Sequence, residues 1–422
     1  MNLIAKKFCR VCGSTKLKKV LSLGYQYLQG YFLDDKSIRK RNNFFKKRFL
    51  TELVFCNTEK NINGCGLLQL SITVPPKLLY NKYFYKSGIN KTMKDHLGSI
   101  AHEIINFSKK KINVLDIGCN DGTLLNFYPK NFLKFGIDPS NVLSKSNKDF
   151  NFVNDFFPSN KLEKMLKKKK LDVITSIAMF YDLENPNFFV ENIYKLLKKN
   201  GIWIFEMSYM PQMLKLNSYD TICHEHLEYY SLRVIKKILE RNNMKIAKIK
   251  FSNINGGSIR CYSVKKDNFQ FGTIGDKKKI NNLLKNELSY GLETERPYKI
   301  FKKKIIQNRK KLRNLITKLK KQGKKIHIYG ASTKGNTILQ WCKINDKLID
   351  FAADRNPLKH GLKTPGTNIP IISEEVSRAL NPDYYLVLPW HFKKEFIERE
   401  KTFLKNGGRL IFPLPNLEIY KY

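Results

Sequence analysis

The sequence predicts an α/β protein in which a small cysteine-rich module precedes two doubly wound parallel sheets. Three observations carry that reading. Apolar runs of strand length alternate with helical patterns twice along the chain, four cysteines cluster early, and a glycine-bearing turn follows the first strand of each alternation. With 422 residues, 42% of them hydrophobic, the chain has material for several cores rather than one, and it is not a disordered or fibrous protein. No apolar run reaches the roughly 18–20 residues of a membrane span, and the opening MNLIAKKFCR lacks a signal-peptide core, so a cytoplasmic protein is expected.

The first module is expected over residues 1–77, ending at Pro75-Pro76. Cys9 and Cys12 stand in CRVCGS, and Cys56 and Cys65 in CNTEKNINGCG. Two cysteine pairs separated by a loop of about forty residues match a four-thiolate zinc site, although the second pair is spaced more widely than usual. Gly13 lets the first knuckle curl. Four thiolates leave no open position on a tetrahedral ion, so the expected role is structural. Cys119, Cys223, Cys261 and Cys342 are dispersed and read as small apolar residues.

Residues 78–250 hold five strand-like runs, at 113–118, 134–139, 150–155, 172–178 and 201–207. In LDIGCNDGTLL, Asp116 ends a strand and Gly118, Asn120 and Gly122 shape the turn into a helix, so the backbone can approach a ligand at the carboxyl edge of the sheet. The turn is neither G-x-G-x-x-G nor a P-loop. Asp138 closes the next strand, where a carboxylate can accept both hydroxyls of a ribose. Asp155 and Phe156 close the third and offer an acceptor and a ring to an adenine. A nucleoside held without phosphate contacts points to S-adenosylmethionine (SAM). Further on, His224, Glu225 and His226 in HEHLEYYS follow the fifth run. Histidines two apart share a face only in an extended segment, so this is no H-E-x-x-H metal motif, and an acid–base role is expected.

Residues 251–422 repeat the alternation: a lysine-rich helical stretch over 276–322, then strand runs at 324–330, 348–354 and 383–389. Ile305, Leu312, Leu315, Ile316 and Leu319 suit a helix packed on one side. In YGASTKGNT, Gly330 and Gly335 flank a turn with Asn336 where a P-loop carries lysine, so ATP hydrolysis is not expected. The helix start can still take a phosphate, helped by Ser332 and Lys334. NINGGSIR (253–260) is read as the joint between the two α/β domains and, with Arg260, as a possible neighbour of the substrate. Asp354 and Arg355 in DRNPLKHG close another strand.

Taken with YFYKSGINKTM, GGSIR and LPWHF, these motifs make the whole chain resemble the three-domain SAM-dependent sugar C-methyltransferases. That family joins a zinc-binding domain, a class I methyltransferase domain and a Rossmann-like C-terminal domain. The resemblance implies a nucleotide-activated keto-deoxysugar as substrate and His226 as the base that removes a proton beside its carbonyl, with Glu225 and His224 orienting it or the substrate. The enolate so formed would take the methyl group. Tyr83, Tyr85 and Ser87 would line the sugar pocket, and Lys334, Gly335 and Asn336 would hold the pyrophosphate. Cys223 stands where the family tends to carry tyrosine. O- or N-methylation of a related sugar or small metabolite is the alternative.

The formal net charge of +42 invites a nucleic-acid partner, and with it an RNA methyltransferase. Lysine outnumbers arginine roughly four to one, however, and the excess is spread along the whole chain. Clustered arginine with interleaved aromatic platforms is missing, so nucleic acid is not the expected partner.

Overall fold

The computed structural model describes residues 4–34, 47–58, 64–80, 83–108, 111–142 and 149–422. The N-terminal module is an antiparallel sheet of β1 (Leu17–Gln26), β2 (Phe49–Cys56) and β3 (Leu68–Leu70). Its fourth strand is supplied by distant residues: Glu228 pairs with Gln69 and Tyr229 with Leu68. At the C-x-x-C knuckle, Gly13 takes a φ of +74°, and its amide donates to the Cys9 carbonyl (2.9 Å), closing the turn.

The middle sheet contains β4 (Asn113–Ile117), β5 (Leu133–Ile137), β6 (Asn151–Val153), β7 (Leu171–Ile177), β8 (Leu197–Ser208), β9 (Met244–Ser252) and β10 (Ser258–Lys265). Their order across the sheet is β9-β10-β8-β7-β4-β5-β6, parallel from β8 to β6 and antiparallel on both sides of β10. The five expected runs coincide with β4 to β8. The joint expected around residue 250 is instead a hairpin within this sheet: Ile254–Gly256 is a short turn, and β10 pairs with both β8 and β9. MKIAKIKFS alternates apolar residues with lysine, the pattern of an edge strand with one wet face, so the sheet runs on to Lys265.

The expected helical stretch is two helices, Ile274–Ser289 and Arg296–Lys321. The second begins with Pro297 in its first turn, where a missing N–H costs nothing, and ends in Lys318, Lys320 and Lys321, which complement the negative end of its dipole. Ile305, Leu312, Ile316 and Leu319 are buried and Leu315 packs beside them. The last sheet comprises β11 (Ile326–Tyr329), β12 (Phe351–Ala353), β13 (Ile371–Ile372), β14 (Tyr384–Val387), β15 (Arg409–Phe412) and β16 (Glu418–Tyr420). Its order is β13-β12-β11-β14-β15-β16, parallel except for the final pair. Among the described residues no helix is long and apolar enough to cross a membrane.

The domains share their cores. One cluster joins Leu53, Phe55 and Leu70 of the first sheet with Tyr219 and Leu227 of the middle domain and Ile328 and Leu339 of the last. A second joins Cys9, Val11 and Leu67 to the middle sheet. Arg10, between the first two cysteines and 5% exposed, braces the N-terminal module from within and faces Glu184 of the middle domain at 3.5 Å. Its guanidinium donates to the Leu70 carbonyl (2.7 Å) and to Thr73 Oγ1 (2.7 Å), and its amide to Gln69 Oε1 (2.9 Å). Arg10→Ala strands the buried acceptors and should cost roughly 3–6 kcal/mol, taking the two guanidinium bonds at the worth of charge-assisted ones. Urea unfolding of the two proteins side by side measures the difference.

Candidate active site

Strand connections run in opposite directions from β4 and β7, and open α/β sheets bind ligands where that happens. A cavity of about 320 Å³ opens there. The strand ends supply its polar wall: Asp116 at the end of β4 with Gly118 and Asn120 beyond it, Asp138 after β5, and Asp155 and Phe156 after β6. Ser87 and Tyr85 close one side. Gly118 has a φ of +73°, and a Cβ there would lie 2.9 Å from Met179 Cγ, so only glycine fits. Gly122 does not line the cavity; with φ +76° it caps the following helix.

The carboxylates are held in place. Asp138 accepts the Asn120 amide on Oδ2 (2.9 Å) and the Ser140 amide on Oδ1 (2.8 Å). Asp155 accepts from its neighbour Phe156 N–H (2.9 Å) and from Ser159 Oγ (2.8 Å). Asp116 accepts from Thr175 Oγ1 (2.6 Å), yet burial, helped by the charge of Asp138, raises its pKa to about 7.

A second cavity, about 300 Å³, lies between the middle and last domains and meets the first at Tyr83, Tyr85, Met93 and Ala178. Glu225, His226, Tyr181, Lys334, Arg355 and His391 are among its walls. His226 Nδ1–H donates to the Thr221 carbonyl (2.7 Å); a carbonyl can only accept, so the free lone pair is on Nε2. Its ring stands edge-on to Tyr181 at 4.4 Å. Burial, with the cation of Lys334 adding to it, drops His226 to about 3, whereas burial alone raises Glu225 to about 7. Asp182, a neighbour in the first cavity, is pushed well up by burial and by Glu225. Lys334 Nζ meets the Asn255 carbonyl at 3.2 Å, while Arg355 faces Glu374 (3.3 Å) and Lys359 faces Asp354 (3.1 Å).

Three of the residues expected in the site face elsewhere. His224 is buried against the N-terminal module: Nδ1–H donates to Gln29 Oε1 (2.7 Å) and Nε2 accepts from Thr51 Oγ1 (3.1 Å). Asn336 is fully buried and donates from Nδ2 to the Gln29 carbonyl (2.7 Å). Gly335 packs under Leu388, and its amide is taken by Ser332 Oγ (3.0 Å). Ser87, expected beside a sugar, lies at the first cavity. Conversely, Tyr181, Asp182 and His391 went unnamed in the sequence. Tyr181 and Asp182 follow β7 with no glycine to mark the turn, and only the LPWHF motif pointed toward His391.

At the knuckle, Cys9, Cys12, Cys56 and Cys65 bring their sulfurs within 4.8 Å of one another, with Cys9–Cys65 and Cys12–Cys56 both at 3.4 Å. Zinc–thiolate bonds of about 2.3 Å require sulfur separations of roughly 3.8 Å, so the donor set and its span fit one tetrahedral zinc.

Three family models match in succession: a zinc-binding domain over residues 9–80, a methyltransferase domain over 89–249 and a C-methyltransferase C-terminal domain over 253–415. The C-methyltransferase NovU of Streptomyces niveus is 27% identical over 417 residues, 96% of this chain and 95% of that protein. Malonyl-(acyl-carrier protein) O-methyltransferase 2 of Ilyobacter polytropus is 28% identical over 167 residues, 36% of this chain and 61% of that one. Among solved structures, magnesium protoporphyrin IX methyltransferase (ChlM) from Synechocystis PCC 6803 with bound SAM aligns at 15% identity, covering 41% of this chain and 79% of its own, with a TM-score of 0.30. The plantazolicin methyltransferase BpumL with SAH aligns at 18%, covering 41% and 82%, with a TM-score of 0.32. The cofactors are SAM and zinc, and the four clustered cysteines of the zinc-binding domain fit the ion. The first cavity suits a cationic nucleoside: carboxylates, an amide and phenyl rings stand among apolar walls.

Two measurements follow. Metal analysis of the purified protein should give one zinc per chain, and Cys65→Ser should lose both the metal and much of the fold's stability, read as a drop in Tm. For Asp116, the raised pKa means that the folded state binds its proton more tightly than the unfolded chain does. Its contribution to stability is present below pH 4 and is lost as pH rises to 7. Asp116→Asn, which cannot ionise, should therefore gain on the ligand-free wild type across pH 4–7 in Tm, and the gap should level off above that.

Proposed function

This chain is a SAM-dependent methyltransferase with the three domains of a C-methyltransferase in order, and we propose that its acceptor is a carbon atom beside the carbonyl of a nucleotide-activated sugar. The observation that carries this reading is the meeting of two cavities at Tyr83 and Tyr85, with Glu225 and His226 on the acceptor side. When bound, SAM supplies an electrophilic methyl group. Asp138 would take the ribose hydroxyls, Asp155 and Phe156 the adenine, and Asp116, Gly118 and Asn120 the amino-acid end.

A carbon nucleophile needs a proton removed, and a base works best when its pKa lies near the working pH. The resemblance favours His226, but a ring held near 3 is a weak base. Glu225, near 7 and in the same cavity, matches the task. We therefore assign proton removal to Glu225. Its carboxylate takes the proton from the carbon, the electron pair moves into the enolate, and the negative charge rests on the carbonyl oxygen. Tyr83 and Tyr181, whose phenols burial keeps protonated, are the nearby O–H donors for that oxygen. His226 offers Nε2 as an acceptor to a substrate hydroxyl. Lys334, which meets a carbonyl rather than a carboxylate, would take a phosphate. O-methylation, the reaction of the Ilyobacter relative, needs only a hydroxyl at the same base.

In the expected outcome Glu225→Gln still binds SAM but loses about 10²–10⁴ in turnover. The wild-type rate should rise with pH through about 7, since the active form of Glu225 is the ionised one. A rate flat from pH 6 to 8, or full turnover in Glu225→Gln, sinks the assignment. Product NMR separates a methyl on carbon from a methoxy group.

A further inference from the structure

We propose that the zinc module is part of the catalytic apparatus, its Gln29–Gly30 segment positioning the Glu225 carboxylate from behind. Glycine 30 is the sharpest evidence. A Cβ at this position would lie 2.1 Å from Glu225 Oε1 and 3.3 Å from both Glu225 Cδ and Thr333 Oγ1. Its φ is not positive, so glycine is needed here for space and not for backbone conformation. The carboxylate thus rests on bare backbone from the N-terminal module and cannot withdraw from the cavity on that side.

The segment is itself held from both flanks. Tyr27 N–H donates to Gln340 Oε1 (2.8 Å), Gln340 Nε2 donates to the Tyr27 carbonyl (3.3 Å), and Asn336 Nδ2 donates to the Gln29 carbonyl (2.7 Å). On the other flank the Gln29 amide oxygen accepts from His224 Nδ1 (2.7 Å) and from the His224 backbone N–H (3.2 Å), one residue before Glu225. Downstream, the Leu70 amide donates to the Leu227 carbonyl (2.9 Å), so the N-terminal sheet grips the loop on both sides of Glu225. Gln29 and Gly30 are positioning residues: they act through the carboxylate and not on substrate.

The titration of Glu225 reports this positioning. The groups around it are Tyr80 and Tyr83 at the first cavity, Tyr181 and Asp182 after β7, Cys223 and His226 on its own loop, and Lys334 across the cavity. Gly30→Ala should drive the carboxylate toward the open cavity and its water, lowering its pKa by about one unit or more. Displacement on the order of 1 Å should also cut kcat about 10²-fold while the KM for SAM stays unchanged. Shortening the acid by one methylene in Gly30→Ala/Glu225→Asp relieves the overlap and should recover activity relative to Gly30→Ala.

The experiment is carboxyl ¹³C NMR of the glutamate-labelled, zinc-loaded full chain, with Glu225→Gln assigning the resonance, together with the kcat profile against pH. Should Gly30→Ala fail to fold, Gln29→Leu carries the same measurements, and a wild-type titration and kcat in that variant overturn the proposal. The inference rests on the base reading only for its kinetic arm. If Gly30→Ala moves the Glu225 titration while Glu225→Gln stays active, the positioning stands and the base reading falls. If Glu225→Gln is inactive while Gly30→Ala keeps the wild-type titration and kcat, the positioning proposal is overturned.

Discussion

The structure depends on burying one polar loop. Residues 219–230 lie almost wholly out of water, yet they carry Asp220, His224, Glu225, His226 and Glu228. Leaving a buried polar group unpaired costs about 1–3 kcal/mol, so a loop of this composition is stable only if partners surround it. The middle domain alone does not provide them. The N-terminal module contributes Gln29 and Thr51 to His224. The C-terminal domain contributes Trp390 Nε1 to Asp220 (2.9 Å) and Asn308 Oδ1 to the Tyr219 hydroxyl (2.8 Å). The loop's polar groups find these partners only when all three domains are docked.

That dependence separates what the sequence could reveal from what it could not. The cofactor cavity is local: each polar group stands at the end of a strand, and strand ends follow from runs of apolar residues and the glycine turn between them. Asp116, Gly118, Asn120, Asp138, Asp155 and Phe156 are therefore readable one segment at a time. The cysteine pairs are readable because thiolate spacing is itself the chemistry. The acceptor cavity is not local. Nothing within HEHLEYYS tells that His224 turns to Gln29 while Glu225 and His226 face a cavity, because alternation along an extended segment would place the two histidines together. Asn336 misled for a similar reason: its place in a phosphate-type turn suggested a ligand, whereas its side chain is spent on the N-terminal module.

If Glu225 is the base, as proposed, burial has reversed the expected division of labour in that loop. In water histidine titrates close to neutrality and glutamate well below it, which makes histidine the natural base. Out of water the charged form of each is penalised, and the penalty acts in opposite directions on a cation and an anion. His226 is pinned neutral, with Lys334 reinforcing the effect, and Glu225 climbs into the working range. The same lysine gives the large net charge its most specific meaning. Most of the +42 sits on solvated faces, as along the helix Arg296–Lys321, and arginines in the acceptor cavity are already matched by glutamates. Lys334, in contact with a carbonyl, is the cavity cation best placed to take a substrate phosphate.

On the positioning proposal, the zinc acts on this chemistry at a distance. β2 spans Phe49–Cys56, a run of roughly 24 Å at strand rise. Cys56 at one end belongs to the four-cysteine cluster, and the Thr51 hydroxyl toward the other meets His224 Nε2 (3.1 Å). β3 begins three residues after Cys65 and pairs with both β2 and the segment just beyond His226. A strand that slips by one residue turns every side chain to the opposite face, so a device that fixes register at one end fixes side-chain direction at the other. Closing β2 and β3 onto one ion does that, and it does so in a module too small to set its register by core packing alone. On that proposal the ion needs no open coordination position to matter to catalysis; it needs only to keep Thr51 inward and Leu70 opposite Leu227.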